Sequence, residues 1–113
     1  MNDKYFKSMK KIKSLAEGHG YCFVSSKVSV EENEIKYCYR EKPTDATDSG
    51  WRFMAGDEDK EYCSNGENFQ IYDVNTVCNF DRSIIDIIDT PYPVDFIKKG
   101  SKFVIDDEED EDE

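Results

Sequence analysis

The chain has 113 residues, a formal net charge of −11 and 13% aromatic residues, which together indicate a single polar domain with one modest hydrophobic core. The charge is unevenly spread, because residues 106–113 are all acidic, residues 1–17 carry a net charge of +3, and residues 18–105 carry −6. This balance argues against a nucleic-acid-binding protein, since phosphate contacts require a basic surface.

The N-terminal segment 3–17 predicts an amphipathic helix, because Tyr5, Met9, Ile12 and Ala16 repeat at helical spacing with lysines on the other side. A basic amphipathic helix can bind a membrane or a partner groove. We favour packing on the protein's own sheet, because the helix is short and has few bulky aliphatic residues.

Three strands are predicted next, over residues 21–30, 35–41 and 51–56, because these segments are rich in β-branched and aromatic residues or alternate in hydrophobicity. The first strand has a possible break near Ser25 and Ser26. In the second strand Ile35, Tyr37 and Tyr39 should share one face. In the third, Trp51 and Phe53 should point to the same side and be buried.

The pattern changes period after Gly56, where the third strand should end. Residues 57–63 predict one or two helical turns, with Asp57 as the N-cap. The segment 70–80 begins extended and continues as a helix, for which we expect Asp73 as the cap and a buried stripe made by Val74, Val77 and Cys78.

The last part of the chain shows the same pattern of a capping residue followed by an apolar stripe. Residues 81–89 predict a further helical segment capped by Asp81, with three isoleucines pointing inward: Ile84, Ile85 and Ile88. Residues 102–105 predict a final strand, and the acidic tail 106–113 should be disordered. The order of elements predicts a single α+β domain over residues 1–105 with a mostly antiparallel sheet.

The four cysteines are widely spaced and form no CxxC pair, which argues against a zinc cluster. Three of them, Cys22, Cys38 and Cys78, lie in apolar patterns typical of reduced thiols in a core. The lysine-rich N-terminus lacks a signal sequence, and no apolar run is long enough for a membrane span. The sequence therefore predicts a cytoplasmic protein with no membrane partner.

The acidic cluster Asp57, Glu58, Asp59 and Glu61 is the best candidate for chemistry, because hard cations bind converging oxygens. The cluster lacks the spacing of a calcium-binding loop, and only Asp57 and Glu61 would share a helix face. The single histidine, His19, lies between two glycines and is typical of a loop. We therefore favour a helix cap with solvated acids, and predict no metal, no cofactor and no catalytic residue.

Two longer stretches, "DSGWRFMAGDEDKEY" at 48–62 and "IYDVNTVCNFDRSIIDIIDTP" at 71–91, carry a family resemblance. Together with "CFVS" and "YCYRE", their order resembles the bacterial immunity protein family thirty-three of polymorphic toxin systems. The resemblance covers about residues 20–97. It implies an α+β cytosolic protein that binds and neutralises a cognate toxin without being an enzyme.

An inhibitor acts through a binding surface, and acidic residues on a rigid edge can steer it toward the basic cleft of a toxin. Two alternatives remain open: a small metal- or ligand-dependent enzyme using Asp57, Glu58, Asp59 and Asp73, and a nucleic-acid mimic formed by the acidic tail. Trp51 is either an interface anchor or, as we favour, a core residue. The residues that we predict to bind the partner are Asp57, Glu58, Asp59, Glu61, Tyr72, Asp73, Asn75 and Trp51.

Overall fold

A computed structural model of the chain describes residues 12–106, which form an α+β domain built on one six-stranded sheet. The strands lie in the order β4-β1-β3-β2-β5-β6. They are β1 Tyr21–Ser25, β2 Tyr37–Arg40, β3 Asp48–Met54, β4 Phe69–Asp73, β5 Val94–Lys99 and β6 Lys102–Ile105. The helices are α1 Ser26–Ser29, α2 Lys60–Cys63 and α3 Val74–Phe80, with 3₁₀ segments at Gly66–Asn68 and Arg82–Asp86.

The sheet is mixed. Within residues 12–106, four of its strand pairs are antiparallel, and β1 lies parallel to β3, with Phe23 beside Arg52 and Val24 beside Phe53. The predicted α+β class and mostly antiparallel sheet are confirmed. The parallel pair was not predicted, because β1 and β3 are brought together by contacts that are distant in sequence.

Most of the predicted helix 3–17 lies outside the described residues, as does the tail beyond Asp106. The part that is described, residues 12–17, is not helical. Two side chains of α3 bind its backbone instead. The Asn75 Oδ1 accepts hydrogen bonds from the amides of Leu15 and Ala16, both at 2.7 Å, and Asn79 binds both backbone groups of Lys13. These contacts hold the segment in a bent conformation.

The helix caps were predicted with mixed success. Asp73 caps α3 and Asp81 caps the Arg82–Asp86 segment, as expected. The predicted cap at Asp57 is wrong, since Asp59 caps α2 by accepting the Tyr62 amide at 2.8 Å. Glu58 instead turns back so that its carboxylate accepts the amides of Ala55 and Gly56, and residues 57–59 lie outside the helix, which begins at Lys60.

The core lies between the sheet and the segment that contains α3 and residues 82–88. Trp51 and Phe53 are buried on the same side of β3 with stacked rings, as predicted. Ile84 and Ile88 are buried as expected, but Ile85 is exposed and Ile87 takes its place. The 3₁₀ geometry explains the exchange, because three residues per turn place Ile84 and Ile87 on one face.

Gly50, the third residue of β3, is at a position that requires a glycine. Its φ is +88°, a conformation that L side chains rarely adopt. A Cβ atom at this position would lie 2.3 Å from the backbone oxygen of Glu41. The strand starts at Asp48 and ends at Met54, two residues before the predicted end at Gly56.

Candidate functional site

The sheet has one covered face and one partly open face, and on this open face Arg52 and Met54 are nevertheless buried. The covered face carries Cys22, Cys38 and Trp51, which pack beneath α3 and residues 82–88. Because side chains alternate along a strand, the neighbours of these residues point the other way. The register aligns them across the sheet, and this open face carries Ile71, Phe23, Arg52 and Tyr39 in one row.

The acidic cluster 57–61 lies at one edge of this open face, and each carboxylate has a different environment. Asp57 is exposed and forms an ion pair with Lys27 at 3.1 Å. Glu58 binds two backbone amides, and Asp59 caps α2. Glu61 is exposed in the first turn of α2. The carboxylates diverge, so they do not form one binding centre.

The "YDVNT" turn lies elsewhere. Asp73 pairs with Tyr21 at the start of β1, whereas Phe53, just before the acidic cluster, pairs with Val24 near its end. The structure therefore places the turn and the cluster at opposite ends of β1. The two groups of predicted partner-binding residues do not share one patch.

Three of the predicted partner-binding residues pack within the protein. Trp51 is 1% exposed, and its Nε1–H donates to the backbone oxygen of Ile88 at 3.2 Å. Asn75 is buried beneath residues 13–16, and Tyr72 packs against the core. Their roles in this conformation are structural, and the residues left for direct contact are Asp57, Glu58, Asp59, Glu61 and Asp73.

A tyrosine-lined groove on the open face was missed by the sequence reasoning. Tyr37 and Tyr39 share this face, as their spacing predicted, with ring centroids 5.8 Å apart, while Cys38 between them is buried. Ile35, which was predicted on the same face, lies before β2 and is buried in the core. Concavities of about 600, 460 and 290 Å³ adjoin along it through shared lining residues. Those shared residues are Tyr37, Tyr39, Met54, Gly56, Cys63 and Asp106.

A buried ion-pair cluster forms the floor beside this groove. Arg52 is 4% exposed and binds both carboxylate oxygens of Asp48 at 3.0 Å, while its Nε–H donates to Glu41 at 2.7 Å. Its guanidinium carbon lies 4.6 Å from the ring centroid of Phe23. These contacts all lie within the protein, so the role of Arg52 is structural.

The described residues offer no metal centre, since residues 12–106 contain no group of three or more His, Cys, Asp or Glu side chains arranged to hold a metal ion. His19 lies in a loop, where its Nε2 is 3.2 Å from Asp89 and its Nδ1 is 3.0 Å from the Ala16 oxygen. Of the cysteines, Cys63 is exposed and the other three are buried. No helix in the described part of the chain is long and apolar enough to cross a membrane.

Comparison with known proteins gives one family. A family model described as the immunity protein Imm33 domain matches residues 22–110. The match includes the acidic cluster, the "YDVNT" turn and every strand except the first residue of β1. No curated protein and no solved structure matches the chain.

Proposed function

The chain belongs to the Imm33 immunity protein family, and on this premise we propose that it protects a bacterial cell by binding a cognate toxin and blocking its action. The family match over residues 22–110 carries this proposal. The protein acts by occupying a surface of the toxin and does not act as an enzyme. We further infer from the family that it works in the cytoplasm.

The acidic cluster 57–61 supports binding through a rigid charged edge. Glu58 is held by two backbone amides and Asp59 by the Tyr62 amide, so their carboxylates lose little conformational freedom on binding. Asp57 and Glu61 project beside them and are exposed. Such an edge suits a basic toxin surface, because complementary charge accelerates association and fixes orientation.

The triple variant Asp57→Ser, Glu58→Gln and Asp59→Asn tests this edge, because the new side chains retain capping oxygens while the net charge falls from −11 to −8. A matched control, Glu17→Gln, Asp86→Asn and Asp89→Asn, changes the charge equally at exposed positions away from the edge. Both variants are expressed in a native host that lacks the wild-type gene. The cells are then challenged by toxin-producing kin.

Wild-type protein and the control should restore survival, and the edge variant should protect poorly. With the toxin purified, the edge variant should associate more slowly at low salt and lose most of its salt dependence. Wild-type protein that gives no protection would overturn the immunity role. Full protection by the edge variant would move the binding surface elsewhere, and loss of protection on deletion of residues 107–113 alone would favour nucleic-acid mimicry by the tail.

A further inference from the structure

We propose that the tyrosine groove on the open face of the sheet receives an arginine or lysine side chain from the toxin. This inference rests on the proposed function and adds to it a second contact region and the chemistry of the group bound there. The region is centred on Tyr37 and Tyr39, between the acidic edge and strand β5.

The groove is continuous with the acidic edge. Asp57 lines its outer concavity of about 600 Å³, and Glu58 lines the middle one of about 460 Å³. Tyr37 borders both concavities. A toxin surface that docks on the acidic edge therefore lies against the groove as well, and a side chain projecting from it can enter.

A hydrogen bond and a ring contact fix the orientation of the tyrosine side chains in the groove. The Tyr37 hydroxyl donates to Asp95 at 2.6 Å, and its ring lies against that of Tyr39 on the neighbouring alternate position. Burial and the bond to Asp95 raise the pKa of Tyr37, so its phenol stays neutral. Neutral aromatic faces attract a guanidinium or ammonium group, which also stacks on them with its aliphatic stem.

Three carboxylates around these rings have no cationic partner within the described part of the chain. Glu58, Asp95 and Asp106 form no ion pair with any residue in the described range 12–106. Their neighbours Asp57 and Glu34 are by contrast paired, with Lys27 and Lys98. Lys36 also lines the outer concavity, but the carboxylates outnumber it there. The groove therefore combines an aromatic wall with a net negative charge.

The Asp106 carboxylate gives the most direct evidence that the groove suits a hydrogen-bond donor. Its Oδ1 atom is buried and has no hydrogen-bond partner among residues 12–106, although the residue borders the groove. A buried acceptor left in this state costs free energy unless a donor reaches it. Once the Asp106 side chain turns this atom toward the groove, an entering Arg or Lys side chain supplies that donor and a positive charge together. An apolar group supplies neither, and an anion is repelled.

The test uses full-length ¹⁵N-labelled protein titrated with acetyl-tetra-arginine amide, and with acetyl-tetra-glutamate amide as a control for charge. The variant Asp95→Asn with Asp106→Asn keeps an acceptor for Tyr37 while removing two charges. Its control, Asp86→Asn with Asp89→Asn, reaches the same net charge of −9 from −11. A second variant, Tyr39→Ser, removes one aromatic wall. Unfolding in urea confirms that each variant folds.

Tetra-arginine should shift the amide signals of Tyr37, Tyr39, Asp95 and Asp106 in a saturable manner, and tetra-glutamate should not. The double groove variant should bind tetra-arginine at least roughly tenfold more weakly than wild-type protein, because the charges that it loses adjoin the bound cation. The affinity of the double control variant should fall by less than about twofold, because its lost charges lie elsewhere. Shifts confined to residues 107–113, or equal binding by both double variants, would overturn the proposal.

Survival assays separate this inference from the immunity role. If wild-type protein protects cells and both groove variants protect them equally well, the groove is not a contact region although the immunity role stands. If wild-type protein fails to protect, the proposed function itself fails. Sedimentation of the groove variants checks the remaining occupant, because a change in self-association would assign the groove to a second copy of the chain and overturn toxin binding there.

Discussion

Arg52 and Asp48 form a two-pronged ion pair along β3, with the Nη1–Oδ1 and Nη2–Oδ2 distances both 3.0 Å. Their side chains are 5% and 0% exposed. Asp48 also accepts the amides of Thr44 and Gly50 at 2.8 and 2.9 Å. The pair therefore ties the loop before β3 to the strand and supports the groove from beneath.

Arg52→Ala should lower the free energy of unfolding by about 3–5 kcal/mol, because it leaves the buried Asp48 carboxylate without its counter-ion. Urea unfolding followed by tryptophan fluorescence measures the change at Trp51. The control is Arg82→Ala, at an exposed position, which should change the free energy by less than about 0.5 kcal/mol. A loss below about 1 kcal/mol for Arg52→Ala would show that the pair contributes no more than a surface contact.

Stability should also fall in acid because of Asp48. Burial alone would raise the pKa of Asp48, but hydrogen bonds from Arg52 and from the amides of Thr44 and Gly50 outweigh burial and hold the pKa well below its ordinary value. A carboxyl group with a lowered folded-state pKa stabilises the fold above its unfolded pKa of about 4, and this contribution is lost as the pH falls below that value.

The measurement is the free energy of unfolding in urea between pH 6 and pH 2.5 for wild-type protein and Asp48→Asn. The wild-type curve should decline more steeply below about pH 4, since the amide side chain of the variant has no proton to gain. Parallel curves would mean that other carboxylates cause the acid sensitivity.

The sequence predicted the local features best. Asp73 and Asp81 were identified as caps because a cap depends on the residues just after it, and the alternation of Tyr37 with Cys38 follows from strand geometry alone. The burial of Trp51 with Phe53 came from the same rule. Each of these features is decided by a few neighbouring residues of the chain.

Features decided by distant contacts could not be predicted. Residues 12–17 have helical periodicity, but the hydrogen bonds that their backbone forms with the Asn75 and Asn79 side chains hold them in another conformation. The groove depends on the pairing of β2 with β5, which places Asp95 opposite Tyr39. The acidic cluster was found from its composition, but its separation from Asp73 follows only from the opposite directions in which β3 and β4 pair with β1.

Asn75→Ala should release the segment 13–16, because the amides of Leu15 and Ala16 lose their shared acceptor and Lys13 loses a donor to its backbone oxygen. Buried groups left without partners cost about 1–3 kcal/mol. Hydrogen exchange should show faster exchange at the Leu15 and Ala16 amides. Asn33→Ala, at an exposed position, serves as the control, and unchanged exchange in Asn75→Ala would contradict the role of this side chain.

Substitutions of the neighbouring residues Asp57 and Asp59 should affect toxin binding and fold stability differently. Asp59 caps α2, so Asp59→Ala should lower the free energy of unfolding by about 1 kcal/mol. Asp57 is 76% exposed and forms an ion pair with Lys27, so Asp57→Ala should change stability very little, because exposed ion pairs contribute little. Asp57→Ala should nevertheless slow association with a basic toxin, since its charge lies at the edge that the toxin approaches.

Asp59→Asn completes the comparison, because its amide oxygen can still accept the Tyr62 amide while the negative charge is lost. It should be nearly as stable as wild-type protein and should associate slowly, like Asp57→Ala. Urea unfolding and stopped-flow association at low and high salt measure the two properties independently. Asp57→Ala could instead destabilise the fold as much as Asp59→Ala does. That result would mean that the Asp57 carboxylate stabilises the fold, and it would contradict a role of the acidic edge in recognition.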